Sequence, residues 1–169
     1  MPNHYTNPAA PKPAKKKINS RAKGCRGERL WRDVLREHGY TARRGQQFAG
    51  GTDSPDVICE ELDKFHFEVK AVQTLNIHEV MRTQAAIDAG DHKIPVIAHK
   101  RNNEPWKVYI CLDDCLRLLL ATGDPHKAAY DFFTHMHMHP AKKSGQPTLV
   151  HFASDSFFTL LRTCDLKTL

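Results

Sequence analysis

Phe65-His66-Phe67-Glu68-Val69-Lys70-Ala71 alternates apolar and polar side chains, the signature of a β-strand with Phe65, Phe67 and Val69 on one face and His66, Glu68 and Lys70 on the other. A carboxylate and an ammonium, Glu68 and Lys70, therefore project together. Upstream, Pro55-Asp56 opens a short strand, Asp56-Val57-Ile58-Cys59, and Leu62-Asp63-Lys64 reads as the turn between the two. If the strands pair through that turn, Asp56 and Glu68 converge, and two carboxylates can share one hard cation. Mg²⁺ suits such a place, because it keeps several waters and takes one or two carboxylates plus a phosphate oxygen of the substrate. The ion polarises phosphorus and lowers the pKa of a bound water, while Lys70 can steady the attacking water or the developing charge.

The flanking segments complete an α/β pattern. Ser20 can cap a helix running to about His38, closed by Gly39, with Leu30, Trp31, Val34, Leu35 and His38 on one side and Glu28 at the edge of that stripe. Tyr40 to Phe48 is polar and extended, and Ala49 to Pro55 is a loop by composition. Asn76 and Glu79 have capping-box spacing and open a helix to Gly90, where Gln84 falls within the inward stripe of Ile77, Val80, Met81 and Ala85. A buried glutamine needs a partner, which a polar active site can supply. Ile94 to His99 and Trp106 to Leu112 are strands joined by a hairpin at Arg101-Asn102-Asn103-Glu104, and Asp113 or Asp114 caps a leucine-rich helix ending at Gly123. The order is α-β-β-β-α-β-β-α over residues 20–123, preceded by an arm, 1–19, and followed by an extension, 124–169, whose role the sequence leaves open. Within the extension, Thr148 to Leu161 faintly echoes Val108 to Leu120, with so few shared positions that chance accounts for it.

At 169 residues, 40% hydrophobic and 26% charged, the chain has the composition of a folded domain rather than a disordered or membrane-spanning one. No apolar run approaches the roughly 18 residues of a membrane span, and the polar, proline-rich start is no secretory signal, so a cytoplasmic setting is expected. Five cysteines, an odd number, suggest reduced thiols, with Cys111 and Cys115 two structural thiols rather than a ligand pair. The net charge of +6 resides in residues 1–26, which hold seven bases and no acid. A basic arm on a neutral body suits a polyanion such as DNA, and its bland reading is a solubilising tail. Lys15-Lys16-Lys17 also admits an unspecific nuclear-import reading.

Taken singly, each piece has an ordinary explanation: a solvated strand face, a turn aspartate, a surface glutamate, a satisfied core amide. Their order and spacing together carry more. Pro55-Asp56 followed twelve residues later by Glu68-Val69-Lys70 resembles the pattern of the PD-(D/E)XK nuclease superfamily. Lys23-Gly24-x-x-Gly27-Glu28-Arg29, Gly39 and Arg43-Arg44 resemble archaeal-type Holliday junction resolvases. The likeness extends to bacteriophage resolvases through Arg44-Gly45-Gln46-Gln47-Phe48-x-Gly50-Gly51, Ser54-Pro55-Asp56-Val57, Phe67-Glu68-Val69-Lys70, Gln84, Pro95-Val96 and Lys100-Arg101-Asn102.

It covers about residues 20–120 and implies a restriction-endonuclease-like fold, with a central mixed sheet flanked by helices. It implies Asp56, Glu68 and the Val69 carbonyl as ligands of Mg²⁺, which Mn²⁺ can replace, with Glu28 the first-helix acid near the metal. Lys70 would be the catalytic lysine, and Gln84 would help arrange the site. The implied activity is metal-dependent hydrolysis of DNA phosphodiesters in a four-way junction by a homodimer, in a bacterial or phage-infected cell, with no small-molecule cofactor. One departure stands out: where these resolvases carry a catalytic serine before the aspartate, this chain offers Thr52 and Ser54, with Gln46 and Gln47 close by.

Arg43, Arg44, Lys100 and Arg101 flank the expected site in loops, and Lys23 and Arg26 lie on the first helix. All six are candidate DNA contacts, as phosphate clamps or as plain surface charges. Trp106 and Tyr109 read as core or dimer-contact aromatics, and the Trp106 strand and leucine-rich helix as candidate dimer surfaces. His135-x-His137-x-His139, with His126 and His151, would form a zinc or copper ligand set on a strand, whereas a helix from Pro125 to Met138 would scatter them. Two other functions stay open: a nuclease of the same fold acting on forks, flaps or duplex DNA, and a catalytically silent DNA-binding protein.

Overall fold

The computed structural model describes residues 19–45 and 55–169. The expected arm, apart from Asn19, and the candidate hydroxyls Thr52 and Ser54 with Gln46 and Gln47 lie outside the described residues. The chain is an α/β protein built on a seven-stranded mixed sheet in the order β1-β2-β3-β4-β5-β7-β6. The strands are β1 (Ala42–Arg44), β2 (Val57–Cys59), β3 (Phe65–Lys70), β4 (Ile94–His99), β5 (Lys107–Cys111), β6 (His137–His139) and β7 (Leu149–Ala153). Only β3 and β4 run parallel, from Phe65 opposite Ile94 to Lys70 opposite His99, and every other neighbouring pair is antiparallel.

One face of the sheet carries the main core. Phe65, Phe67 and Val69 of β3 join Val96, Val108, Ile110 and Phe152 there, beneath α1 (Ser20–Glu37), α4 (Leu112–Leu120), α5 (Pro125–Phe133) and α6 (Ser154–Thr163). Trp31 of α1 stands at its centre, with ring centroids 5.9 Å from Phe67, 5.1 Å from Trp106 and 5.8 Å from Phe158. On the other face Ile97, Tyr109 and Leu149 meet Val80, Met81 and Ala85. Those three belong to one helical run made of α2 (Ile77–Val80), a π turn (Met81–Ala85) and α3 (Ala86–Ala89). Strand β3 is thus covered on both faces. His66, Glu68 and Lys70 do not form the solvated face that a Glu-x-Lys strand usually shows, because this helical run lies over them.

Local signals differ from expectation at several ends. Asn19, not Ser20, caps α1, its side-chain oxygen accepting the Ala22 N–H at 3.1 Å. Asp113 and Asp114 lie inside the first turn of α4, because the chain passes straight from β5 into the helix and no side chain caps it. There the two acids face the positive end of the helix dipole. The helix from Pro125 stops at Phe133, and His137–His139 form a strand instead. Strand β5 lies between β4 and β7, and Trp106 and Tyr109 are buried, so that strand is no free edge for a second copy.

Residues beyond 123 continue the same sheet and core. Phe157 of α6 packs its ring edge against Phe65 at 5.9 Å and Phe67 at 6.5 Å. The faint internal echo has a structural counterpart. β5–α4 and β7–α6 are each a strand passing directly into a helix, Tyr109 lies opposite His151, and Thr122 bridges Cys164 just past the two helices. The Tyr109–His151 pair lies at the middle of the β5–β7 register. Phe157→Ala should cost about 3–5 kcal/mol, read as a lower urea midpoint, and a chain ending at residue 123 should not fold. A cooperative unfolding transition from the truncated chain would show that the aromatic core closes without α6.

Candidate active site around β3

Two close approaches assemble the site. A Cβ at Gly27 would stand 2.8 Å from the Ala71 Cβ, so glycine lets α1 press onto the end of β3. That contact carries Glu28, one residue on, into the interior at 6% exposure. At Gly45, a Cβ would stand 1.9 Å from the Pro55 carbonyl oxygen, and the Gly45 N–H donates to the Asp56 carbonyl at 2.9 Å. Only glycine fits where the chain leaves β1 and returns before β2.

Asp56 sits at the bend just ahead of β2, and its Oδ2 accepts the Val69 N–H at 2.8 Å. In extended backbone the N–H and C=O of one residue leave the strand on the same edge. The Val69 carbonyl therefore faces the edge where Asp56 lies. Glu68, 8% exposed, is ion-paired through Oε1 to Lys70 Nζ. Glu28 is paired through Oε2 to Arg44 Nε, and Arg44 Nη2 donates to Cys25 Sγ at 3.0 Å. The hydrogen bond with Glu28 raises the pKa of the Arg44 guanidinium further.

Among the described residues, three carboxylates and two bases thus share one region, and Asp56 is the acid without an ion-paired base. Burial, then the Glu68 charge, pushes its carboxyl from 3.8 up to about 7, with the Val69 hydrogen bond and Lys70 pulling the other way and Glu28 adding to the rise. A carboxylate crowded by like charge is what a divalent cation relieves. The available donors are hard oxygens, the donor type Mg²⁺ prefers.

The remaining candidates are placed as follows. Gln84 lies half-buried in the π turn over the sheet and joins none of the cluster's hydrogen bonds among the described residues. Arg26 and Arg43 are exposed, and Lys23 is half-buried. Arg44 is engaged by Glu28, Lys100 donates to the Glu104 carbonyl and Arg101 faces Glu104 at 3.6 Å, so these three are held rather than free clamps. His137 and His139 share a strand face opposite His151, and His139 Nε2 lies 2.6 Å from His151 Nδ1. Burial, then the neighbouring histidines, hold His151 down to about 4. No third histidine nitrogen joins that pair at ligand distance among the described residues. His135 instead contacts Thr134 and the Asp131 carbonyl, off the strand, and His126 is on α5.

One group escaped the sequence reading. His66 and Glu68 of β3 and Asp88 of α3 bring one ligand atom each to within 4.8 Å of one another. The only sequence signal for Asp88 is its position four residues after Gln84, on the same side of the helical run.

No family model matches the chain, and neither a curated protein nor a solved structure does.

The Asp56 environment fixes a pH dependence. Its folded pKa lies above the ordinary value, so this group's contribution to stability is present below about pH 4 and is lost as pH rises through about 7. Wild type should therefore weaken across that window, whereas Asp56→Asn should remove this slope and be the more stable protein above neutrality. Urea midpoints of both proteins near pH 5 and pH 8 measure it, and parallel pH profiles would contradict the crowding.

Proposed function

We propose that the protein is a Mg²⁺-dependent, structure-selective DNA endonuclease with a restriction-endonuclease-like fold, acting as a homodimer on four-way junctions. The observation that carries this reading is the meeting of Asp56, Glu68 and Lys70 on β3 and its neighbour, with Glu28 brought in by α1. The order of these residues along the chain is the one that resembles the junction resolvases.

Asp56 and Glu68 would hold the cation, with the Val69 carbonyl as a further oxygen and Glu28 behind them. When bound, Mg²⁺ supplies Lewis acidity toward the phosphate and a more acidic water. Lys70 is ion-paired to Glu68 and orients it, and its ammonium would be the donor to the attacking water or the developing oxyanion. Asp56 must give up its proton to serve as ligand, so cleavage should rise with pH toward neutrality and beyond. Arg44 is ion-paired to Glu28 and holds it in position. Exposed Arg26 and Arg43 and half-buried Lys23 are the candidates left for phosphate contact, together with the basic arm.

The experiment pairs a labelled immobile four-way junction with a matched linear duplex, each with Mg²⁺ or chelator. Wild type should nick the junction symmetrically and leave the duplex intact. Lys70→Ala and Asp56→Asn should lose about 10²–10⁴-fold in rate while binding the junction within a few-fold of wild type. Cutting of both DNAs would discard junction selectivity and keep the nuclease. Salt-sensitive binding without metal-dependent product would leave a DNA-binding protein whose carboxylates are structural.

A further inference from the structure

We infer that β3 carries a second cation position, held by His66, Glu68 and Asp88 and selective for a divalent metal that accepts nitrogen, such as Mn²⁺, Co²⁺ or Zn²⁺. The three ligand atoms lie within 4.8 Å of one another. Ligand atoms around one such ion stand about 3.3–4.2 Å apart, depending on geometry, so side-chain rotation must draw the set together. His66 is fully buried, Glu68 nearly so and Asp88 half-buried, which leaves the open coordination positions toward Asp88.

Asp88 is the informative member. It makes no hydrogen bond or ion pair among the described residues and occupies the last turn of the helical run, one residue before Ala89 and two before the closing Gly90. The carbonyl end of a helix disfavours a carboxylate. It sits there facing a second carboxylate, Glu68, and a cation between them removes both conflicts. The π turn Met81–Ala85 lies immediately upstream, and such turns re-aim the residues that follow them. An imidazole ligand then decides the metal: nitrogen suits Mn²⁺, Co²⁺ or Zn²⁺, whereas Mg²⁺ prefers all-oxygen shells. The ligand set stands by itself, while its coupling to catalysis through the shared Glu68 rests on the nuclease reading.

Cobalt tests the position without a cleavage assay. The full-length protein, titrated with Co²⁺ in excess Mg²⁺, should bind the metal and show a paramagnetically shifted imidazole N–H resonance. Asp88→Asn should weaken Co²⁺ at least ten-fold and abolish that resonance, with an unchanged circular dichroism spectrum. Asp56→Asn should leave both intact. If His66→Gln fails to fold, Asp88→Asn on the helix end still decides. Wild-type-like Co²⁺ binding by Asp88→Asn, or binding without a shifted imidazole resonance, would overturn the site. Junction cleavage in Mg²⁺ is a separate readout, so failure of the nuclease reading would leave this result untouched.

Discussion

A strand buried on both faces must be apolar on both or bring a partner for every polar group it hides, and β3 takes the second course. Its Phe65, Phe67 and Val69 join the aromatic core under α1 and α6, while His66, Glu68 and Lys70 lie beneath the π-turned helical run. Leaving Glu68 uncompensated there would cost several kcal/mol. The Lys70 ammonium two residues along the same face meets that need. The sheet extends outward from this strand, with antiparallel neighbours on one side and the parallel β4 on the other.

The charges around β3 are nearly but not fully balanced. Arg44 matches Glu28 and Lys70 matches Glu68, and among the described residues the Asp56 side chain is tied only to the Val69 N–H. A fully neutralised cluster would be more stable and would have little affinity for a cation. One unmatched acid keeps the cluster short of positive charge, at a cost in stability spread over the buried carboxyl. The arrangement requires close backbone approach, which is why Gly27 and Gly45 stand where a single methyl group would collide.

Much of the fold could be read directly. The alternation through β3, the capping pair Asn76 and Glu79, and the hairpin near Asn102 act over a few residues, and the structure contains the corresponding strand, helix start and turn. Less legible were features decided at a distance. Asn19 and Ser20 are both good caps, and local sequence does not choose between them; the helix is capped by Asn19, whose side chain accepts the Ala22 N–H. The stretch His135 to His139 suited strand or helix equally, and pairing with β7 decides for the strand. The Glu28–Arg44 pair joins residues with no shared periodicity. Asp88 offered only its four-residue spacing from Gln84, and the π turn Met81–Ala85 interrupts regular helical spacing just ahead of it. The faint echo over Thr148 to Leu161 did not show that Phe157 and Phe158 pack on Phe65 and Trp31.

The backbone hydrogen bond from Gly45 to the Asp56 carbonyl ties the end of β1 to the residue just ahead of β2. Arg44 lies opposite Val57 in the same pairing, so the main chain on either side of the acid is anchored by main-chain groups. A main-chain anchor does not depend on which side chains surround it. A protein built in this way can exchange the residues around its acid without moving the backbone that presents it.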